Sequence, residues 1–304
     1  MKENILNKFI QIMGKERVFL DEPMKKHTTF RIGGPADYYL CPENVEEVAG
    51  ILHICKEENL PFFVLGNGSN LLVSDEGYRG VIIQVYKNMN RVSVEGDKVR
   101  VQAGCLLSMA AKKALDAELT GMEFASGIPG TMGGAVVMNA GAYGGEMKDI
   151  VESATVITQQ GEILHLSVKE LAMGYRTSIV KERGYIVLEA VLSLKHGKKE
   201  EIKEEMDRLK EQRTTKQPLD MPSAGSTFKR PEGYFAGKLI QDTGLRGYKV
   251  GGAQVSEKHC GFVVNADGAT AQDVADLIKD VQTKVYEKFQ VKLEPEVRFL
   301  GTFK

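Results

Sequence analysis

The 304-residue chain has no tryptophan, and its four cysteines, Cys41, Cys55, Cys105 and Cys260, are scattered without a CxxC pair. That spacing argues against a structural zinc site and a disulfide framework, and leaves the thiols as small apolar side chains. The five histidines, His27, His53, His165, His196 and His259, are too dispersed to share a metal, so no metal is expected. An excess of either charge is also missing: 40 Lys and Arg face 41 Asp and Glu, a net charge of −1. No global field therefore draws the chain to nucleic acid or to an anionic membrane, and any anion site must be local.

A secretory leader is lacking as well. Met1 to Arg17 mixes charges with Ile5, Phe9, Ile10 and Met13 and reads as a short amphipathic helix, without an apolar run or a small-residue cleavage site. One uncharged stretch, Phe124 to Gly145, has 22 residues, nominally enough to cross a bilayer, but seven are glycine, and Pro129 and Asn139 interrupt the rest. A membrane helix is a poor reading of it, and the expected location is cytoplasmic. Apolar residues at 42% and charged residues at 27% support a packed core, and the length suits about two domains.

Along the chain, Thr28 to Ile32 and Tyr38 to Leu40 read as strands around the Gly33-Gly34-Pro35 turn. Pro42 is expected to open a helix whose apolar face is Val45, Val48, Leu52 and Cys55. Short strands follow at Pro61 to Leu65, Leu71 to Val73 and Val81 to Val85. Arg91 to Val94 and Lys98 to Ala103 form a hairpin, and a helix runs from Leu106 to Leu119. Val151 to Thr158 with Glu162 to Leu166 is a second hairpin, and Tyr185 to Leu194 one more strand. The charge-dense Lys198 to Lys216 reads as a solvated linking helix. Beyond it, Phe235 to Asp242 is helical, Gly261 to Asn265 a strand, and Thr270 with Asp273 a capping box for a helix lined by Val274, Ile278, Val281, Val285 and Phe289. A strand closes the pattern at Val291 to Leu300. The architecture is α+β, with a first region over 1–197 in two lobes (about 20–85 and 86–197), the linking helix at 198–216, and a C-terminal domain over 217–304.

Two loops carry the binding chemistry. Gly66-Asn67-Gly68-Ser69-Asn70 follows a strand, and Ser126-Gly127-Ile128-Pro129-Gly130 leads on to Gly133 and Gly134. Glycine brings backbone N–H groups close to a ligand, and successive N–H groups in one concavity make an anion nest. Two such loops could hold a pyrophosphate without a lysine, and a backbone-lined cofactor path would account for the uncharged stretch. The Rossmann fingerprint fails because Leu71 stands where its third glycine belongs. The P-loop-like Gly233 to Leu239 has one residue too few and leucine in place of Ser or Thr, which disfavours ATP hydrolysis.

The chain resembles the UDP-N-acetylenolpyruvoylglucosamine reductases, flavoenzymes of peptidoglycan synthesis, along nearly its whole length. The resemblance is carried by His27 to Ala36, Leu65 to Asn70, Ser126 to Gly134, Asn139 to Gly144, Tyr175-Arg176, Ala224 to Pro231, Ala236 to Ile240 and Leu293 to Val297. It implies a two-lobed FAD-binding domain of the vanillyl-alcohol-oxidase type, followed by a smaller α+β substrate-binding domain. It also implies that NADPH reduces FAD, and that hydride then passes to the enolpyruvyl double bond of UDP-N-acetylglucosamine enolpyruvate, giving UDP-N-acetylmuramate. Met173 to Ser178 lacks the inserted tyrosine loop of one subclass, so the chain is similar to the shorter subclass.

The resemblance further implies roles for single residues. Arg176 matches the arginine that stabilises charge on the substrate carboxylate, where a guanidinium grips with two bonds. Ser226 matches the proton donor, and Glu296 the acidic residue that assists it, a task that suits a carboxyl with a raised pKa. Asn139 joins the two glycine loops as a flavin contact. Tyr175, Lys216, Lys229 and Arg230 are candidates for the UDP moiety, with Arg213 and Arg298 facing the substrate carboxylate. The family often has asparagine where Arg230 stands. No His or Cys falls within 66–70 or 126–134, so the flavin is expected to be noncovalent. The alternatives are another FAD-dependent oxidase of the same fold and a non-catalytic nucleotide-sugar binding protein. The oligomeric state is not legible.

Overall fold

The computed structural model describes residues 2–304. The chain divides into two compact units, and both are discontinuous. The first gathers Met1–Leu20, Tyr38–Asn67 and Gly80–Arg213; the second gathers Asp21–Asp37, Gly68–Arg79 and Thr214–Lys304. Residues 21–37 and 68–79, which the sequence groups with the first half, thus count with the C-terminal unit.

The first unit contains two larger sheets and two short two-stranded ones, 141–142 with 145–146 and 119–120 with 195–196. A four-stranded sheet has the spatial order Val18–Pro23, Pro35–Leu40, Tyr78–Gln84, Phe62–Leu65, and three of these strands carry the chain across the bounds of the unit. Phe62–Leu65 pairs in parallel with the last of them, Phe62 opposite Val81. A five-stranded antiparallel sheet has the order Ile163–Ser167, Val151–Ile157, Ile186–Ser193, Lys98–Gln102, Val92–Glu95. The helices are α1 (Lys2–Met13), α2 (Val45–Glu57), α3 (Leu107–Asp116), α4 (Met132–Met138), α5 (Ile179–Arg183) and α6 (Lys199–Lys216). The apolar stripe of α1 buries Ile5, Phe9 and Met13, and that of α2 buries Val48, Ile51, Leu52, Ile54 and Cys55. Both belong to one continuous core that also takes in Val99, Val101, Val156 and Leu192 from the larger sheet.

Three local expectations differ. Thr28 to Ile32 is a turn, not a strand: Arg31 N donates to Thr28 O, and the Thr28 hydroxyl donates to Ile32 O. Helix α2 starts at Val45 rather than Pro42, because Asn44 is its N-cap and accepts from Glu47 N. The uncharged stretch contains the short helix α4, which its glycines hid.

The second unit contains α7 (Ala236–Asp242), α8 (Ala271–Phe289), a three-stranded antiparallel sheet and a parallel pair joining Leu71–Val73 to Arg298–Leu300. The expected strand at Val291 to Leu300 is regular only over those last three residues. Helix α8 opens on the capping box of Thr270 and Asp273 and buries Val274, Leu277, Ile278, Val281 and Val285. Its first amides, Ala271 N and Gln272 N, donate to the carboxylate of Asp75 at 2.8 and 3.1 Å. The core of this unit joins α8 to Phe30, Ile32 and Leu72 from the two short N-terminal pieces, which is why those pieces belong here.

Candidate active site

In the first unit the glycine-rich segment is fixed by its neighbours' backbone. Leu107 N donates to Gly130 O, Met132 N to Cys105 O and Gly133 N to Ala103 O, all within 2.8–3.0 Å. Asn67 Nδ2 donates to Pro129 O at 2.7 Å, so the part of the first loop in this unit is tied to the second. The Ser126 hydroxyl donates to Glu123 O and ends a short helical turn. The space here is tight: a Cβ at Gly66 would lie 2.4 Å from Thr131 Oγ1, and one at Gly133 3.0 Å from Ala103 Cβ. Thr131 is 1% exposed, and its hydroxyl has no hydrogen-bond partner among the described residues. Leaving a buried hydroxyl unsatisfied costs about 1–3 kcal/mol. A phosphate oxygen would accept from it, so the orphaned hydroxyl and the side-chain-free backbone around it fit an FAD pyrophosphate. Nothing in the sequence marks out Thr131 from the glycines on either side.

Arg176 sits in a turn closed by paired backbone bonds between Gly174 and Thr177, at 3.0 and 3.3 Å. Its φ is +57°, unusual for a residue with a side chain. The guanidinium is half-buried and lies 5.2 Å from the centre of the exposed Tyr175 ring. Asn139 ends α4 in the left-handed conformation and turns its amide to protein partners, among them Gly174. Arg213, expected to face the substrate carboxylate, lies against the loop at Gly127: a Cβ there would meet its Nε at 3.0 Å, and its guanidinium is 5.8 Å from the Tyr143 ring. Burial pushes its pKa below the ordinary arginine value.

In the second unit Ser226 and Glu296 are brought together by backbone pairing. Glu296 N donates to Thr227 O at 2.8 Å, Lys229 N to Glu294 O at 2.8 Å, and Phe228 bridges Pro295. Thr227 is pinned on its other side, its N–H donating to Gly261 O and its hydroxyl accepting from Val263 N. Ser226 is left exposed and Glu296 half-buried. The remaining residues of the first loop join the same pair: Asn70 Nδ2 donates to Glu296 O at 3.2 Å, and Arg298 N donates to Asn70 O at 3.0 Å. Gly68 is needed for its backbone, since φ is +63° and a Cβ would fall 2.1 Å from His27 O. Lys229 pairs with the Glu294 carboxylate, Arg230 stacks 4.0 Å from the centre of the Phe235 ring, and Lys216 is the exposed last residue of α6. Among the described residues no cluster of three His, Cys, Asp or Glu could hold a metal ion, and no helix is long and apolar enough to cross a membrane.

Residues 36–167 match the FAD binding domain family, and residues 217–300 match the C-terminal domain of UDP-N-acetylenolpyruvoylglucosamine reductase. The reductase of that name from Alkaliphilus metalliredigens is 58% identical over 99% of both chains. The chain belongs to the UDP-N-acetylenolpyruvoylglucosamine reductase family. The solved reductase of Thermus caldophilus superposes with a TM-score of 0.81 at 38% identity, covering 94% of this chain and 99% of that one. At 18% identity, 4-ethylphenol oxidase from Gulosibacter chungangensis covers 64% of this chain and 42% of its own with a TM-score of 0.50, a likeness of fold alone. The α+β architecture is thus a vanillyl-alcohol-oxidase-type FAD-binding domain followed by the reductase family's C-terminal domain. As a member of that family the chain is an FAD-dependent oxidoreductase with NADPH as reductant.

Proposed function

We propose that the chain reduces the enolpyruvyl double bond of UDP-N-acetylglucosamine enolpyruvate to UDP-N-acetylmuramate in the cytoplasm, with Arg176, Ser226 and Glu296 as catalytic residues. The observation that supports the assignment of residues is the backbone pairing of Thr227, next to Ser226, with Glu296, and the bond from Asn70 of the first glycine loop to Glu296 O. Bound FAD would supply the redox chemistry, carrying hydride from NADPH to C3 of the enolpyruvyl group. Gly66, Asn67, Gly68, Ser69, Asn70 and the Ser126 to Gly134 segment would hold it, with Thr131 Oγ1 donating to a phosphate oxygen. No His or Cys stands in either loop, so the flavin is held without a covalent bond.

Hydride at C3 leaves negative charge spread from C2 onto the substrate carboxylate. The Arg176 guanidinium grips that carboxylate and strengthens its bonds as the charge grows. Ser226 gives its hydroxyl proton to C2. Glu296, on the neighbouring segment, orients the hydroxyl and the relay that restores its proton. Tyr175, Lys216, Lys229, Arg230 and Arg298 meet the UDP and carboxylate groups of the substrate, and the half-buried Arg213 holds the flavin-side loop.

Anaerobic mixing tests the reading. NADPH should bleach the yellow protein, and the enolpyruvyl nucleotide should restore the colour. A protein that stays colourless through purification, or one reoxidised by oxygen and an alcohol but not by the enolpyruvyl nucleotide, would refute it. Acid denaturation should release free FAD.

A further inference from the structure

Asn139 is 1% exposed, an amide shut inside the first unit at the end of a helix. Its Nδ2 donates to Gly174 O at 3.1 Å and to Glu146 Oε2 at 3.0 Å, and its Oδ1 accepts from Lys148 N at 2.9 Å. Two oxygens on one side and an N–H on the other fix which way the amide faces. Gly174 is the first residue of the turn that carries Tyr175 and Arg176. A second bond runs from the same helix to the far end of that turn, where the Ser178 hydroxyl donates to Val137 O at 2.8 Å. Lys181 Nζ then donates to Arg176 O at 3.0 Å. The left-handed backbone of Arg176 is therefore overdetermined from outside, as a sparsely populated conformation must be to persist.

We infer that Asn139 is a positioning residue for the Arg176 guanidinium, acting through Gly174, and that its amide is not a flavin ligand. The inference rests on the reading that Arg176 grips the substrate carboxylate. Asparagine suits the task for two reasons. It tolerates the left-handed backbone that ends α4, and it offers donors and an acceptor on one short side chain. Aspartate would lose both donors and set a second carboxylate beside Glu146.

The test uses the FAD-loaded enzyme and measures its two half-reactions separately. Asn139→Gly keeps the left-handed backbone and deletes the clamp. It should slow reoxidation by the enolpyruvyl nucleotide and raise KM for it, a loss of roughly 10- to 100-fold in kcat/KM, the scale of a small misplacement of a catalytic group. FAD content and the rate of bleaching by NADPH should match the parent enzyme, which a merely structural role would not spare. In an Arg176→Ala background the same substitution should cost nothing further. An equal loss in that background, or loss of flavin with the first substitution alone, would overturn the inference. Should Asn139→Gly fail to fold, Asn139→Asp carries the same expectations. If Arg176→Ala itself leaves reoxidation at the parental rate, the carboxylate reading fails and this inference with it. If Arg176→Ala slows reoxidation and Asn139→Gly does not, only the inference fails.

Discussion

Around Gly66 and the Ser126–Gly134 segment, the loops proposed to hold the flavin, the first unit leaves side chains out. Gly66 leaves no room for a Cβ without moving Thr131, Gly133 leaves little beside Ala103, and Thr131 offers one buried hydroxyl. In the second unit the reverse holds. On the proposed reading Ser226 and Glu296 bring side-chain atoms to the reaction, and the backbone pairing of 227–229 with 294–296 holds their segments without depending on what those side chains are. The contrast teaches that the flavin-side loop is damaged by adding atoms, and the Ser226–Glu296 segment by removing them.

Five substitutions, the last read by its pH profile, can break or sharpen that contrast, and the largest effect belongs to Ser226. Ser226→Ala should leave bleaching by NADPH intact and slow reoxidation by roughly 10²- to 10⁴-fold, the usual contribution of a positioned proton donor; stopped-flow reoxidation at the parental rate would remove Ser226 from the mechanism. Gly66→Val adds atoms against the Thr131 hydroxyl. Overpacking of about 1–3 kcal/mol predicts FAD affinity lower by roughly 5- to 150-fold, read by flavin fluorescence on dilution, and the second unit should keep its fold.

Thr131→Val is nearly isosteric and tests the orphaned hydroxyl from both sides. The apoprotein should gain about 1 kcal/mol or more of stability, because an unsatisfied buried group is gone, while FAD binding weakens by roughly 10-fold. A variant whose flavin affinity is unchanged would show that the hydroxyl meets no phosphate. Smaller still is Thr270→Ala, which removes one half of the α8 capping box and should cost about 1 kcal/mol of stability with kcat unaltered.

The smallest effect is one of pH. The Thr270 N–H and its neighbours hold the Asp273 carboxyl below its ordinary value. A carboxyl lowered in the folded state contributes stability that is complete above its unfolded value, about pH 4, and is lost as pH falls through the folded one. Asp273→Asn should flatten that acid limb of the unfolding profile and leave the neutral limb parallel to the parent.

Much of this was legible in the residues. The hairpin at 92–102, helices α1, α3, α6 and α8 and the capping box follow from periodicity and caps, because each is a local matter of a dozen residues. Thr28 to Ile32 misled, since its β-branched and aromatic residues are buried by a turn whose partners lie far along the chain: the Thr29 hydroxyl donates to Ser223 O, and Asn265 Nδ2 donates to Phe30 O. Helix α4 is hidden by Gly133 and Gly134, which lower helix propensity, although Ala103 crowds the first of them. The roles of Ser226, Glu296 and Arg176 came from resemblance. Their supports, the Thr227–Glu296 pairing and the Asn139 clamp, depend on contacts that no local pattern encodes. The discontinuity of the units was illegible for the same reason.

Asn70 and Glu296 are 226 positions apart, and Ser74 and Thr302 are 228 apart. At about 5–20 residues per second on the ribosome, the segment around Leu71–Val73 waits roughly 10–45 s for the strand that pairs with it. All three of those residues are buried in the finished molecule, so during synthesis a short apolar edge stands open to any passing chain. The newborn protein has a built-in interval of vulnerability, and chaperone capture of nascent chains stalled before residue 298 should exceed that of chains released whole.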